Sequence, residues 1–339
     1  MIKKNITFED AIRVLRSATA PTPRILRGLT SPDEGQLVEF QTVWQTIASN
    51  RRALIAEKLA ELAEKDVELD FNPIFHFTLT DVEEAVRLAS IEGLWEDESP
   101  ALLDLLVILL RSDPSAVVRA AAATSLGRYV YLGEIGNLSR HRRDQAYSAL
   151  MGVILSNPPA ALIYNRALES LAYTSNEQVD LLIKDAYQSE DAGLRVASVV
   201  AMGRSNDRRY APLVLKQLHN VLPNMREEAA RACGELEVTE AVAQLGKLID
   251  DSEADVILAA IGALAEIGGD EAKKLLEDTA KAEDEEIAAA ATEALEEFEF
   301  MHGDIKFSTE WFEGISANGS DDEDEDEGHD HDVDAKTTR

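Results

Sequence analysis

The residues best suited to chemistry in this sequence are arginines and tyrosines. Arg128, Tyr129, Tyr131, Arg140, His141, Arg142 and Arg143 form one group, and Arg204, Arg208 and Arg209 form a second. Guanidinium groups grip carboxylates and phosphates bidentately, and a tyrosine adds a stacking face and a hydroxyl. One reading is a docking patch for a carboxylate, a phosphate or an acidic peptide; the other is a longer loop with solvated arginines. Arg128 follows Gly127 as Arg204 follows Gly203, so the two groups are expected on equivalent loops along one face.

No other residue set points to a reaction. Cys233 is the single cysteine, which leaves no intrachain disulfide and no cysteine zinc site. There is no Gly-rich phosphate loop and no nucleophile motif. His329 and His331 alternate with Asp330, Asp332 and Asp334, ligand types that suit a divalent cation. Yet residues 320–339 hold ten acids and hardly an apolar side chain, a composition that predicts a solvated, disordered tail. No catalytic, cofactor or metal site is expected.

The net charge of −31 is unevenly spread. Residues 1–231 carry 31 acids and 26 bases, whereas residues 232–319 carry 23 acids and five bases. Phosphate binding rests on clustered cations, so nucleic acid is not an expected partner. The longest apolar run, residues 101–110, contains Asp104 and is far shorter than the roughly 20 residues that span a bilayer. With no secretory leader at the start, a cytoplasmic protein without membrane contact is expected.

These side chains need elements to hold them, and the sequence repeats. Seven times an apolar residue, often followed by Arg, precedes a small residue and then a bulky one. The bulky positions are Leu94, Leu126, Leu171, Met202, Cys233, Leu264 and Leu295, the last five successively 31 residues apart. Four positions before them stand Ser90, Ala122, Ala167, Ser198, Ala229, Ala260 and Ala291, small every time, which lets two helices cross closely. A second stripe, Ile183, Val214, Leu245 and Leu276 with Leu182, Leu213 and Leu275 beside it, supplies the buried face of a partner helix. A fixed period of this size predicts stacked helix pairs. Ser31-Pro32-Asp33-Glu34, Ser99-Pro100, Asp113-Pro114 and Thr80-Asp81-Val82-Glu83 read as helix starts, with cap oxygens at Ser31, Ser99, Asp113 and Thr80.

In Asp113-Pro114-Ser115-Ala116-Val117-Val118-Arg119-Ala120-Ala121-Ala122 through Leu126-Gly127, and in Leu194-Arg195-Val196-Ala197-Ser198 through Met202-Gly203, the chain resembles HEAT repeats of the short bacterial kind, also found in phycobilin lyases. The resemblance spans about residues 66–300. It implies an all-α fold, a right-handed α-solenoid of about 31 residues per repeat. It also implies that Arg87, Arg119, Arg195 and Arg226 bond neighbouring loops as an inter-repeat ladder. Function does not follow from it, because scaffolds, lyases, hydroxylases and DNA glycosylases share such repeats. The two-metal hydroxylases of this kind use His-Glu pairs, and none of His76, His141, His219, His302, His329 or His331 is followed by Glu. A glycosylase would need a cationic, aromatic concave surface, while Trp44, Trp95 and Trp311 lie outside the regular repeats.

Residues 1–65 fall outside the register and are expected to form a divergent cap, with helices near 7–17, 36–48 and 51–65. The 45-residue spacing from Leu126 to Leu171 places an inserted loop at about 128–143. Phe298, Phe300, Phe307, Trp311 and Phe312 predict an aromatic capping segment at 301–318, ahead of the acidic tail at 319–339. In a HEAT stack the second helix of each pair faces the concave side, so Val196, Val200 and Leu258, on helices apolar almost all round, are expected to floor a groove. The expected function is a non-catalytic adaptor or assembly factor that holds another protein through this concave surface and through Arg128, Tyr131, Arg140, Arg142, Arg143, Arg204, Arg208 and Arg209. The alternative is a cofactor-handling or pigment-attachment protein resembling the phycobilin lyases, its arginines facing an acidic pigment.

Overall fold

A computed structural model describes residues 6–17, 19–156 and 161–302, and over these the chain is helical with no strand. Helices α1 (Phe8–Arg16), α2 (Pro23–Leu26), α3 (Glu34–Trp44) and α4 (Ser49–Lys65) come first. Seven pairs follow: α5 (Asn72–Thr78) with α6 (Glu84–Gly93), α7 (Pro100–Ser112) with α8 (Ala116–Glu134), α9 (Arg140–Ile154) with α10 (Ala161–Leu171), and α11 (Glu177–Tyr187) with α12 (Ala192–Arg204). The last three are α13 (Ala211–Gln217) with α14 (Pro223–Glu235), α15 (Val242–Leu248) with α16 (Ala254–Ile267), and α17 (Asp270–Thr279) with α18 (Glu285–His302). Among the described residues no helix is long and apolar enough to cross a membrane.

The pairs stack through their second helices: α6 on α8, α8 on α10, and so on to α16 on α18. First helices meet one another less extensively, which sets the second-helix row on the inside of the curve. The seam predicted from sequence is the contact itself. Ser90, Ala122, Ala167, Ser198, Ala229, Ala260 and Ala291 are all fully buried, as are Ile183, Val214, Leu245 and Leu276 on the first helices or nearly so. Gly203 and Gly234 tighten the same seam. A Cβ at Gly203 would stand 2.9 Å from the Ala232 Cα, and one at Gly234 3.0 Å from the Ala263 Cα, closer than side chains pack. Cys233 lies inside this contact, where burial pushes its thiol up to about 12 and keeps it from acting as a thiolate.

Two of the four recurrent arginines, Arg87 and Arg226, tie repeats together, and all four bond the loop ahead of their own helix. Arg87 donates to both oxygens of Asp113 at 2.8 Å, and to the carbonyls of Asp81 and Val82. Arg226 does the same with Asp251, at 2.8 and 2.7 Å, and with the Asn220 and Val221 carbonyls. Arg195 reaches only the Ser189 and Glu190 carbonyls, and Arg119 the Asp113 carbonyl. The rungs therefore differ in strength, and only two contain a carboxylate from the following loop.

Two expectations need correction. The inserted loop is mostly helix: α8 runs on to Glu134 and α9 begins at Arg140, leaving a connection of residues 135–139. Tyr129, Val130 and Leu132 continue the buried face begun at Leu126, and that burial favours helix over loop. The caps also shift. Asp33, not Ser31, caps α3 in a capping box with Gln36, and Ser115, not Asp113, caps α8, because Asp113 is held by Arg87. At α6 it is Asp81, not Thr80, that accepts from the Glu83 amide; its carboxylate also takes the Trp44 indole at 2.7 Å and Arg52 at 3.0 Å. At the start of the stack α4 packs against α6 as one second helix on another. The aromatic residues Phe307, Trp311 and Phe312, and the tail with His329 and His331, lie outside the described residues.

Candidate functional site

The predicted arginine patch is not a free cationic surface. Arg128 donates to Glu98 at 2.8 Å and lies over the Trp95 ring at 5.8 Å. Arg143 is clamped between Glu134 and Asp144. Arg140 is 87% exposed and 3.9 Å from Asp144, and Arg142 is half-buried on the same helix. In the second group Arg209 pairs with Asp207, and Arg208 donates to the Glu237 carbonyl at 3.0 Å. The chain's own acids thus already occupy most of these cations.

Tyr131 and Arg204 do come together. Both meet Tyr173: the two tyrosine rings are 5.4 Å apart, and the Arg204 guanidinium lies 5.6 Å from the Tyr173 ring centre, a cation–π contact. Arg204 also stands 3.8 Å from Glu169, a buried carboxylate that Arg166 holds at 2.7 Å. These residues open a groove lined further by Glu134, Gly203, Glu235, Glu237 and Glu266.

The groove has a sequence rule that the arginine and tyrosine counts did not reveal. Tyr173, Arg204, Glu235, Glu266 and Glu297 occupy one register position, two residues past the bulky seam residue, each 31 residues from the next. Arg204, Glu235, Glu266 and Glu297 stand on consecutive second helices and Tyr173 in the turn just past α10, and the matching placement makes them neighbours. Glu235 feels both Arg204 and Glu266, and Glu266 feels Glu297. The carboxylates of Glu235 and Glu266 fold towards Gly203 and Gly234 of the preceding helix, where a side chain would block them.

The electrostatics of this row follow from its position inside the curve. Although the Glu235 carboxylate opens to the groove, the surrounding protein desolvates it; with Glu266 and Glu228 nearby, this outweighs Arg204 and raises its pKa to about 7. Desolvation likewise raises Glu266, with Glu297 adding to it, and Glu228, with Glu227 and Glu169 adding to it. Among the described residues none of Glu228, Glu235, Glu266 or Glu297 has a hydrogen-bond or ion-pair partner, whereas Glu227 beside them holds Arg231 at 2.9 Å.

Of the apolar residues expected to floor the groove, Leu258 does so. With Ile261, Gly262, Ala290, Ala294 and Phe300 it lines a trough between α16 and α18, edged by Glu293, Glu296 and Glu297. Val196 and Val200 are half-buried on α12 and do not reach that trough.

Comparison with known proteins bears on the fold. Residues 211–296 match a model described as HEAT repeats, and residues 102–132 match a HEAT repeat model. No curated protein matches the chain. Among solved structures, the complex of CpcE and CpcF of phycocyanin lyase from Nostoc sp. is 18% identical, with 72% of this chain and 92% of that one covered and a TM-score of 0.48. Human deoxyhypusine hydroxylase is 18% identical over 86% of this chain and 96% of that one, at a TM-score of 0.37. Yeast importin-β is 12% identical over 91% and 48%, at 0.44. At these values the likenesses carry nothing about activity. The buried seam and the matched repeats make this chain an α-solenoid of stacked helix pairs that contains HEAT repeats at residues 102–132 and 211–296.

Proposed function

We propose that the protein is a non-catalytic scaffold or assembly factor that holds a partner protein in its concave surface. The observation that carries this reading is the groove itself. The inner surface carries two grooves, one lined by Tyr131, Tyr173, Glu235 and Glu266 and one by Leu258, Phe300, Glu293, Glu296 and Glu297, and among the described residues these five glutamates have no hydrogen-bond or ion-pair partner. Like charges gathered without partners favour an oppositely charged ligand, and solenoids use extended concave surfaces for recognition. The pigment-handling reading loses support from the same geometry. Acidic pigment arms need available guanidiniums, and Arg128, Arg143 and Arg209 are paired with Glu98, Glu134 and Asp207.

Photo-crosslinkers placed in the native host at Leu258 and Tyr131, and at Glu240 and Glu277 on first-helix elements as controls, test the proposal. One partner recovered from the concave positions, and then bound by the purified chain in a manner lost in Leu258→Asp, is the expected result. Equal crosslinking from both sets, or none, overturns it. A purified chain absorbing visible light through a bound chromophore would favour the pigment-handling alternative.

A further inference from the structure

Resting on the concave-surface reading, we propose that the trough between α16 and α18 receives a basic amphipathic helix of the partner, its apolar stripe on the floor and its Lys or Arg residues against the glutamate rim. The floor is Leu258, Ile261, Ala290, Ala294 and Phe300, the last 87% exposed on α18, which buries only Ala291, Ala294 and Phe298 against the stack. At Gly262 nothing lies within 4 Å of where a Cβ would be, so the floor is open at its centre. A groove between two neighbouring helices fits the ridge of a third, read through apolar residues at helical spacing.

Charge selects the occupant. Glu293, Glu296 and Glu297 edge the trough, and Glu266 and Glu235 extend the same sign along the inner row. Among the described residues none of these five has an ion-pair partner, and three of the bases of this region are engaged elsewhere: Lys273 with Glu299, Lys281 with Asp278 and Arg231 with Glu227. Two other occupants are disfavoured by the same charge. The aromatic stretch beyond His302 carries Asp304, Glu310 and Glu313 against Lys306, and a second copy of the chain brings a net charge of −31. A cationic helix alone satisfies both the floor and the rim.

The test uses the full chain and a fluorescein-labelled synthetic helix of Leu and Lys with one apolar face, beside a Leu and Glu helix of equal length, titrated by fluorescence anisotropy. The Leu/Lys helix is expected to bind and the Leu/Glu helix not to. Glu293→Gln, Glu296→Gln and Glu297→Gln together should weaken binding roughly tenfold or more. Glu240→Gln, Glu271→Gln and Glu277→Gln, which remove the same charge from first-helix elements, should change it by less than about twofold. Circular dichroism melting verifies that both triple variants fold. Equal losses in the two triple variants would reduce the effect to bulk attraction and overturn the proposal. So would a gain of about tenfold on Trp311→Ala with Phe312→Ala, which would identify the chain's own segment as occupant, or a sedimenting dimer abolished by Leu258→Asp. If a partner crosslinks at Leu258 through a neutral or acidic segment, the scaffold reading stands and this inference alone falls.

Discussion

Arg87 and Asp113 form a two-pronged ion pair across consecutive repeats, both side chains almost wholly shielded at 7% and 3% exposure. The same geometry recurs at Arg226 and Asp251, where Arg226 holds the Asp251 carboxyl below the usual carboxylate range. Breaking a buried pair from one side strands a charge, which costs far more than the intact pair contributes. Arg87→Met should therefore destabilise by about 3–5 kcal/mol, while Arg195→Met, which removes bonds to two carbonyls only, should cost about 1–2 kcal/mol. Urea melts of the two variants provide the check; equal costs would show that the carboxylate rung adds nothing.

Asn220 stands 25 residues after Arg195, as Asp251 stands 25 after Arg226. Its side-chain oxygen accepts from the Leu222 amide, a role an aspartate keeps, as Asp251 does with Glu253. Asn220→Asp should complete the missing rung and raise the melting temperature, with a gain of about 1 kcal/mol. The gain should vanish in an Arg195→Met background, which a double-mutant cycle would register.

Ala260 and Gly203 fill the seam, whereas Gly262 faces open space. Ala260→Leu and Gly203→Ala should each cost about 1–3 kcal/mol through overpacking. Gly262→Ala should instead stabilise by up to about 1 kcal/mol, because a helical glycine is replaced without a clash. Opposite signs at the two glycines, read by thermal melting, are the diagnostic result.

Glu235 should make stability pH-dependent in an unusual direction. Its folded pKa, about 7, lies above the ordinary carboxylate value of 4.5, so the folded state binds more protons in that interval. Stability should fall as pH rises from about 4.5 to 7 and then level off, and Glu235→Gln should flatten this slope. Melting curves at pH 5 and pH 8 with both chains decide it: an unaltered slope in the variant would mean that this carboxylate is not the titrating group.

The stack was legible from the chain because its constraint is local and repeated. A small residue and a bulky one, four apart on every second helix, are dictated by close helix crossing, and each repeat poses the same packing problem. Ser90 to Ala291 therefore read correctly, and the arginines read correctly as loop-binding, their carbonyls lying five or six residues away, but only Arg87 and Arg226 form the expected rungs between repeats. What required the tertiary structure was everything settled between elements. Arg128, Arg143 and Arg209 looked like free cations until their acidic partners were located, and residues 128–134 looked like loop until burial of Tyr129 and Val130 extended the helix. The row from Tyr173 to Glu297 was present in the spacing, but charged side chains at a fixed period look like an ordinary solvated face. Only curvature turns that face inward, and desolvation there gives the glutamates a chemistry their sequence positions do not state.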